Sequence, residues 1–598
     1  MARMHCSDRL LVILLSSGAL ALGSTGCSEP DRTPNPNPPR DGSEVYADGA
    51  IDATAECQPA SGGAAVAEPQ FVRNLRSNTG WYSSPAIVDL SDGTNTTRAL
   101  VVPSYDVHVY SPAGDELDHI ERGEQWSGRI YPPIPIGDFD GDGATDLALG
   151  GSDGTAAAFT WTAEGFQLKP GWAETNTCSA GQCPETRGMA AADLDGDGSI
   201  EIAYTTTNTA DDAAHVFVFS ADGSLYQPAG LTDWQAWPRY NTATGAGGDA
   251  DFNGQGNHGY GCFGLNVGIG NIDDDAELEI IATYDNHHVN AFNHDGTSLL
   301  TSSYFTNRSS DHSGERLGWG QFIRYADPDV EHRHYHLHEG DWPGPTTEMW
   351  LQWTASPPTV ADIDGDGRNE VLGFPNGERN EPYETQAYLL MVLMGNHGDG
   401  ENAGMRLPGF EQLPSSDKPP VRESGDWYPP SGVPSPVVVN LLGDPAPEIL
   451  ASLNDGYVYA FSSTGERLWR YDVSGGIPKI FSSEPTVADL NGDGRPEVIL
   501  GVYSLRPAGG KLLILENTGA LIHEVVLPEQ GENGNGIGVP AAPTVGDLDG
   551  DGQLEIIALT FDHGVDVFTV PGSEANCSVW STGRGNLLRN AQGPATAP

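Results

Sequence analysis

The sequence predicts an all-β fold, a β-propeller of eight blades with seven as the alternative, and three observations lead to this prediction. The 598 residues include 76 Gly and 44 Pro, a composition that suits many tight turns better than long helices. One acidic, glycine-rich pattern recurs eight times, and each copy stands between two short apolar runs. Repeats extend one architecture along a chain, so the length does not imply several unrelated domains.

The repeated pattern is a short β run, a cluster of acids and glycines, and a second apolar β run. The complete form, DxDGDGxx(D/E) or DxNGDGxxE, begins at Asp138, Asp193, Asp362, Asp489 and Asp547. Three further copies, which keep the flanking runs but depart from the full pattern, begin at Asp89, Asn271 and Asn440. Five complete copies in the same phase make the pattern far more specific than a single copy would be.

The spacing within a complete copy suits a calcium ion. Ca²⁺ takes six to eight oxygen ligands, and a short loop can supply them from side chains at positions 1, 3, 5 and 9 and a carbonyl at position 7. In the second copy these are Asp138, Asp140, Asp142, Asp146 and the carbonyl of Ala144. The acid at position 9 leads directly into an apolar β run, whereas a helical EF-hand loop places its last acid at position 12.

At these residues the sequence resembles the FG-GAP and VCBS repeats, the calcium-loop propeller repeats also found in integrin α chains. The resemblance covers roughly residues 70–590 and implies an integrin-α-like propeller that binds about five to six calcium ions. We expect the five complete loops to bind calcium and the Asp89 and Asn440 loops to be empty. For the Asn271 loop, calcium binding and an empty site both remain open. Counted as in the second copy, the remaining expected ligands are Asp193, Asp195, Asp197, Ser199, Glu201, Asn271, Asp273, Asp275, Glu277, Glu279, Asp362, Asp364, Asp366, Arg368, Glu370, Asp489, Asn491, Asp493, Arg495, Glu497, Asp547, Asp549, Asp551, Gln553 and Glu555.

After each loop the sequence continues through a second and a third β run and often a fourth, as in a four-stranded propeller blade. Successive copies start 49 to 91 residues apart, and the excess over a blade of about 50 residues predicts insertions near 228–262, 300–352 and 375–430. The run PQFVRNL before the first copy has no blade of its own, so we expect it to complete the last blade and close the ring. Seven blades would result if the Asp89 copy were not a true blade.

The N-terminus has the layout of an export signal. Arg3 and Arg9 precede an apolar run at 10–22 that is too short to span a membrane stably, and small residues stand directly before Cys27. This arrangement resembles the lipobox of bacterial lipoproteins, which implies a signal peptide at 1–26, acylation of Cys27 and an outer-membrane or cell-surface location; simple secretion is the alternative. Residues 27–69 are rich in Pro, Gly, Ala and Ser, and we expect a disordered tether before the propeller domain at 70–598.

The remaining cysteines suggest two disulfides, since export places them in an oxidising compartment. Cys178 and Cys183 are close enough to staple one loop, and Cys57 and Cys577 could tie the two ends of the propeller, which leaves Cys262 odd. The run CSVWSTGRGNLLRN, which begins at Cys577, is expected to pack against the last blade.

A histidine-rich run, EHRHYHLHEGDW, is the most unusual local feature. In a strand, its alternating histidines would share one face, and neutral imidazoles bind Zn²⁺, Cu²⁺ or Ni²⁺. Neighbours on that face stand nearly 7 Å apart, so they cannot all bind one ion. A transition-metal site and a structural strand packed against tryptophans both remain open for His332, His334, His336 and His338.

Charge and motifs restrict the function. The formal net charge of −54 repels nucleic acids and anionic lipids, so we expect no nucleic-acid partner and membrane contact only through the lipid anchor. The sequence contains no GxSxG, P-loop or HExxH motif, which favours a protein that is not an enzyme.

We expect a calcium-stabilised surface propeller that acts as a binding, adhesion or scaffold module for a protein or glycan. The alternatives are an extracellular polysaccharide hydrolase or lyase with its site in the histidine-rich insertion, and a purely structural envelope protein.

Overall fold

The computed structural model of the chain describes most of the propeller region. The chain divides into compact units at 1–40 and 41–598, and all described residues belong to the second. They are 57, 65–76, 80–121, 128–173, 175–178, 183–206, 216–226, 266–284, 288–297, 299–303, 350–352, 356–378, 387–412, 414, 434–443, 446–477, 479–504, 509–528, 536–574 and 577–591. The expectations for the signal peptide, for Cys27, for Cys262 and for the four alternating histidines lie outside these residues.

All described strands pair antiparallel. The first strand, β1 (Gln70–Leu75), pairs with a strand near the C-terminus, and the rest of the first half of the chain forms four sheets. The first sheet contains β2 (Ala86–Ser91), β3 (Thr96–Pro103), β4 (Val107–Tyr110) and β5 (Glu116–Ile120). The second contains β6 (Ile136–Gly137), β7 (Asp146–Gly150), β8 (Ala156–Thr162) and β9 (Gly165–Leu168). The third contains β10 (Thr186–Ala192), β11 (Glu201–Thr206) and β12 (Val216–Phe219), and the fourth β13 (Val267–Gly270), β14 (Glu279–Tyr284) and β15 (His288–Phe292).

The second half of the chain adds four more sheets of this kind and one small extra sheet. In chain order its strands are β16 (Trp350–Gln352), β17 (Thr359–Ala361), β18 (Glu370–Gly373), β19 (Asn376–Glu378), β20 (Ala387–Tyr388), β21 (Met391–Met394), β22 (Val437–Val439), β23 (Glu448–Ser452), β24 (Tyr457–Phe461), β25 (Arg467–Asp472), β26 (Ile480–Ser482), β27 (Thr486–Ala488), β28 (Glu497–Ser504), β29 (Lys511–Leu515), β30 (Leu521–Val526), β31 (Ile537–Gly538), β32 (Thr544–Gly546), β33 (Leu554–Leu559), β34 (Val565–Val570) and β35 (Ser578–Trp580). The fifth sheet is β17-β18-β21, the sixth β22-β23-β24-β25, the seventh is built on β27-β28-β29-β30, and the eighth is β32-β33-β34-β1. Strands β16, β19 and β20 form the small extra sheet.

The eight sheets follow one another around a closed ring. Each begins at its inner edge with the strand before a motif copy, and β10 lies beside β13, β13 beside β17, β17 beside β22, and β32 beside β2. In the described residues, eight hydrophobic clusters each bridge two successive sheets. The last of them packs Leu100 and Val102 of the first sheet against Ile557 and Leu559 of the eighth. The all-β propeller prediction is confirmed, and the Asp89 copy forms the four-stranded sheet β2–β5.

The N-terminal strand closes the ring as the sequence predicts. β1 pairs with β34 and becomes the outer strand of the eighth sheet. Asn74 of β1 donates a hydrogen bond from Nδ2 to Asp566 Oδ1 of β34 at 2.8 Å. The structure also contains the disulfides Cys57–Cys577 and Cys178–Cys183. Both ends of the propeller chain are therefore fixed by strand pairing and by a covalent link.

The C-terminal segment 577–591 runs along the inner strands of the ring rather than against the last blade alone. Its β35 pairs with β27, and its backbone carbonyls then accept hydrogen bonds from inner-strand amides of the eighth, second, third, fourth and fifth sheets in turn. The donors are Val545, Ile136, Ala191, Ile269 and Val360. Inner strands expose unpaired backbone groups toward the channel, and this segment, called here the inner belt, satisfies them.

Two described regions differ from the domain boundaries expected from the sequence. Residues 65–69, assigned to the tether, include the buried Val66, whose carbonyl oxygen lies 2.8 Å from His523 Nε2. Part of the insertion expected near 375–430 belongs to a blade, because β21 pairs with β18 as the third strand of the fifth sheet. Among the described residues, none belongs to a helix with the length and apolar character needed to cross a membrane.

A partly buried histidine between two carboxylates holds the β33–β34 turn. His563 Nδ1 lies 2.9 Å from Asp562 Oδ2, and its Nε2 lies 2.8 Å from Asp566 Oδ2. Burial alone would lower the pKa of His563, but the two carboxylates raise it to about 9. Because Asp566 also accepts the bond from Asn74, this charged group supports the junction at which the ring closes.

We expect the free energy of unfolding to fall as the pH rises through this pKa. The folded pKa lies above the unfolded value of about 6.5, so the stabilisation is complete below pH 6.5 and is lost between there and about pH 9, with a size of about 3 kcal/mol. Urea denaturation of the wild-type chain and of His563→Gln at several pH values measures it. The difference in the free energy of unfolding between the wild-type chain and His563→Gln should shrink toward pH 9. A difference that does not depend on pH would contradict this account.

Candidate metal centres

Each motif loop connects the inner strand of a sheet to its second strand, so the acids lie at one edge of every sheet. The acid at position 9 is the first residue of the second strand in the complete copies at Asp138, Asp193, Asp362 and Asp489. In the Asp547 copy, Glu555 is the second residue of β33. The β geometry therefore holds one end of each loop rigidly while the acids before it curl back.

The carboxylate at position 1 is held by the backbone of its own loop. In all five complete copies its Oδ2 accepts a hydrogen bond from the amide of the glycine at position 6, at 2.8 to 3.0 Å. That glycine has a positive φ in each case, for example +87° at Gly143 and +85° at Gly367. A Cβ on Gly367 would meet no atom within 4 Å, so the backbone conformation, not the space, requires glycine there.

Positions 5 and 7 also follow one scheme. The carboxylate at position 5 accepts a hydrogen bond from the amide of residue 7, so the peptide that carries the expected carbonyl ligand has a fixed direction. The amide donors are Ala144, Ser199, Glu277, Arg368, Arg495 and Gln553, and their acceptors are Asp142, Asp197, Asp275, Asp366, Asp493 and Asp551.

Carboxylates converge in these loops. Sets of one oxygen per residue lie within 4.8 Å of one another, which is close enough to surround a single cation after small side-chain rotations. The sets are Asp138, Asp140 and Asp146; Asp193, Asp195 and Asp197; Asp273, Asp275 and Glu279; and Asp362, Asp364 and Glu370. Oxygens at such distances repel one another strongly unless a cation neutralises them.

The position-9 glutamates are buried. Glu279 is fully buried, and Glu201 and Glu370 are 3% exposed. Burial raises the pKa of Glu201 and of Glu370 to about 8 and that of Glu279 to about 9, and the neighbouring acids add to the increase. In each case Oε2 accepts a hydrogen bond from the amide of residue 2 of the loop. A divalent cation in the loop would stabilise the ionised form of these side chains.

The Asp138 loop already contains a cation of its own. Lys169 Nζ lies 2.7 Å from Asp140 Oδ2 and 2.9 Å from Asp146 Oδ2, and the lysine side chain is 5% exposed. Burial would lower the pKa of Lys169, but the two carboxylates raise it. Lys169 follows the position-9 acid by 23 residues, and no feature of the motif points to it, so sequence reasoning missed this contact.

The three incomplete loops differ in how their acids are compensated. Asp89 Oδ1 lies 2.9 Å from Arg98 Nε, so an arginine neutralises the first position of that loop. In the Asn440 loop, Glu448 accepts hydrogen bonds from the amides of Leu441 and Leu442. In the Asn271 loop, the Asn271 side-chain amide donates to the carbonyl of Asp275 at 2.6 Å, although the remaining acids converge as described above.

Comparison with known proteins supports the repeat. No curated protein matches the sequence. Solved structures similar to the chain include the V. cholerae biofilm matrix protein Bap1 (12% identity, 85% of this chain, 92% of that chain, TM-score 0.34), BamB from Moraxella catarrhalis (13%, 84%, 98%, 0.38) and the Dos1 propeller (9%, 85%, 96%, 0.39). Residues 138–204 match the family model described as FG-GAP-like repeat. These residues hold the second and third motif copies, so the propeller contains an FG-GAP-like repeat.

Proposed function

We propose that this protein is a calcium-stabilised propeller at the cell surface that binds a protein or a glycan. The observation that carries the proposal is the recurrence of one acidic loop, with the same backbone hydrogen bonds, at the same edge of successive sheets. A surface without a cation has no reason to repeat a repulsive cluster of carboxylates in one geometry. Hard carboxylate and carbonyl oxygens are the ligands that calcium prefers.

The loops differ in the calcium affinity that we assign to them. In the Asp193, Asp362, Asp489 and Asp547 loops, the position-1 carboxylate is held by the amide of the position-6 glycine, and we assign these loops the highest affinity. In the Asp138 loop, Lys169 occupies two of the expected ligands, so calcium must displace an ammonium group and binds there more weakly. The Asn271 loop lacks one carboxylate and is of intermediate affinity. The Asp89 and Asn440 loops stay empty, which gives about five to six ions.

The binding role rests on the form of the scaffold. Rigid sheets present long connections at their edges, and such connections commonly carry recognition on propellers and other repeat folds. Acylation of Cys27 would hold the propeller at the outer membrane, with the chain between Cys27 and the disulfide-bonded Cys57 as spacer. The net charge of −54 selects against nucleic acids and favours partners with cationic groups or uncharged glycans.

A partner screen tests this function directly. The chain from residue 28, which leaves out the expected signal peptide and Cys27, would be immobilised and exposed to a glycan array and to extracellular proteins, in millimolar calcium and again after chelation. We expect at least one ligand to be retained in calcium and released after chelation, because loss of calcium loosens the loops that support the recognition surface. Retention of no ligand in either condition would contradict a binding role, and turnover of a retained polysaccharide would favour the hydrolase or lyase alternative.

A further inference from the structure

A second kind of metal-ligating cluster lies on the first sheet, away from every calcium-type loop. Asp106 stands in the β3–β4 turn, His108 in β4 and His119 in β5. His108 and His119 are direct cross-strand partners, and their rings stack with centroids 4.2 Å apart and planes 16° apart. Asp106 and His108 are two residues apart and thus share a face of the hairpin. The pairing places two imidazoles and a carboxylate at one point.

The distances in this cluster fit a small tetrahedral metal ion. One potential ligand atom from each residue lies within 4.8 Å of the others, and His119 Nε2 lies 3.7 Å from Asp106 Oδ2. Zinc binds nitrogen and oxygen ligands at about 2.0–2.2 Å, so tetrahedral ligands stand roughly 3.3–3.6 Å apart. Modest side-chain rotations would close the cluster around such an ion.

The second observation is a pair of buried ring nitrogens without hydrogen-bond partners. Neither His108 Nε2 nor His119 Nε2 has one within the described residues, and His108 is 8% exposed. Burying a polar nitrogen without a hydrogen-bond partner is unfavourable, so two of them side by side need an explanation. A metal ion would accept both lone pairs.

A neighbouring carboxylate orients the first imidazole for this role. His108 Nδ1 lies 2.8 Å from Glu116 Oε1, so Nδ1 carries the proton and Nε2 offers its lone pair. Histidine ligands of metals commonly donate their other nitrogen to a carboxylate in this way. Two imidazole nitrogens and one carboxylate oxygen are a donor set for zinc, whereas calcium prefers oxygen alone.

We propose that Asp106, His108 and His119 form a zinc site, with Glu116 as the positioning residue for His108. The three side chains supply three ligands, and water completes the tetrahedron. This site goes beyond the proposed calcium-dependent function and does not depend on it. It also differs from the alternating histidines at 332–338, which lie outside the described residues.

Zinc titration of the full mature chain tests the site. The background protein carries His332, His334, His336 and His338 all replaced by Gln, and millimolar calcium fills the oxygen loops. We expect this background to bind one equivalent of zinc and, when loaded with cobalt instead, to show the visible absorption of a four-coordinate site. His119→Gln should lose that equivalent and that absorption. Glu116→Gln should weaken zinc binding by about 10- to 100-fold.

Controls separate loss of the site from loss of the fold. His523→Gln removes a histidine on another sheet and should keep the full equivalent of zinc. His119→Gln without zinc should melt at the same temperature as the background without zinc. Failure of the background to bind zinc, or binding by His119→Gln with unchanged stoichiometry, would overturn the proposal and would show that the stacked histidines only pack against each other. Neither result would affect the calcium loops.

Discussion

We expect chelation of calcium to lower the melting temperature of the mature protein by roughly 7 °C. Extracellular calcium sites with dissociation constants near 0.1 mM stabilise the folded state by about 1.4 kcal/mol each in millimolar calcium. Five such sites give about 7 kcal/mol. A domain of about 500 residues has an unfolding entropy of roughly 1 kcal/mol per degree, which converts this stabilisation into the expected shift. Scanning calorimetry in calcium and in EDTA measures it.

Two matched variants assign the effect to the loops. Asp362→Asn removes one charge at position 1 of a complete loop and should reduce the difference between the calcium and EDTA melting temperatures. Asp89→Asn makes the same change at position 1 of the loop that Arg98 already neutralises, and it should leave that difference unchanged. Equal effects of the two variants would show that calcium acts elsewhere, and identical melting curves with and without calcium would refute the calcium assignment.

The sequence predicted the fold because its signals are local and repeated. Each motif copy carries both the turn chemistry and the apolar runs on either side, so one loop and two strands can be read together at each copy. Ring closure by β1 could be predicted because the last blade lacked a strand and the first run lacked a blade. The same local scheme placed the position-9 acids at the start of the second strands.

The features that the sequence did not predict depend on contacts between distant segments. Lys169 enters the Asp138 loop from beyond β9, and the spacing of the motif contains no position for it. His108 and His119 stand in ordinary alternating runs, and only the register of the β4–β5 hairpin brings them opposite each other. The course of the inner belt is similarly nonlocal, since five of its carbonyl groups accept hydrogen bonds from five different sheets.

The second large expected effect concerns the inner belt. Replacing its buried arginine, Arg589, should lower the stability of the folded protein. Arg589 is fully buried, and its guanidinium joins the belt to the first and second sheets. Nε donates to the carbonyl of Ile134 at 3.1 Å, and Nη1 donates to Thr582 Oγ1 and to the carbonyl of Gly583, both at 2.8 Å. Nη2 lies 3.4 Å from the carbonyl oxygen of Pro85. One side chain thus satisfies acceptors from three parts of the ring.

We expect Arg589→Met to lower the free energy of unfolding by about 3–5 kcal/mol, because buried acceptors left without donors are costly and the methionine cannot replace them. Methionine keeps the Cβ, so the positive φ of +59° at this residue costs the same in both proteins. Arg589→Lys should recover only part of the loss, since an ammonium group cannot reach acceptors in several directions with the planar geometry of guanidinium. Urea denaturation in saturating calcium measures the three proteins.

The control for this change is Arg467→Met, which replaces an exposed arginine of β25 and should alter stability by no more than about 0.5 kcal/mol. If Arg589→Met fell within the same range, the belt would fill the channel without stabilising the contacts between sheets.

A large effect has a further consequence for how the ring unfolds. Because the belt donates or accepts hydrogen bonds on inner strands of successive sheets, its release exposes those strands together, and the blades should then unfold in one cooperative transition rather than one after another.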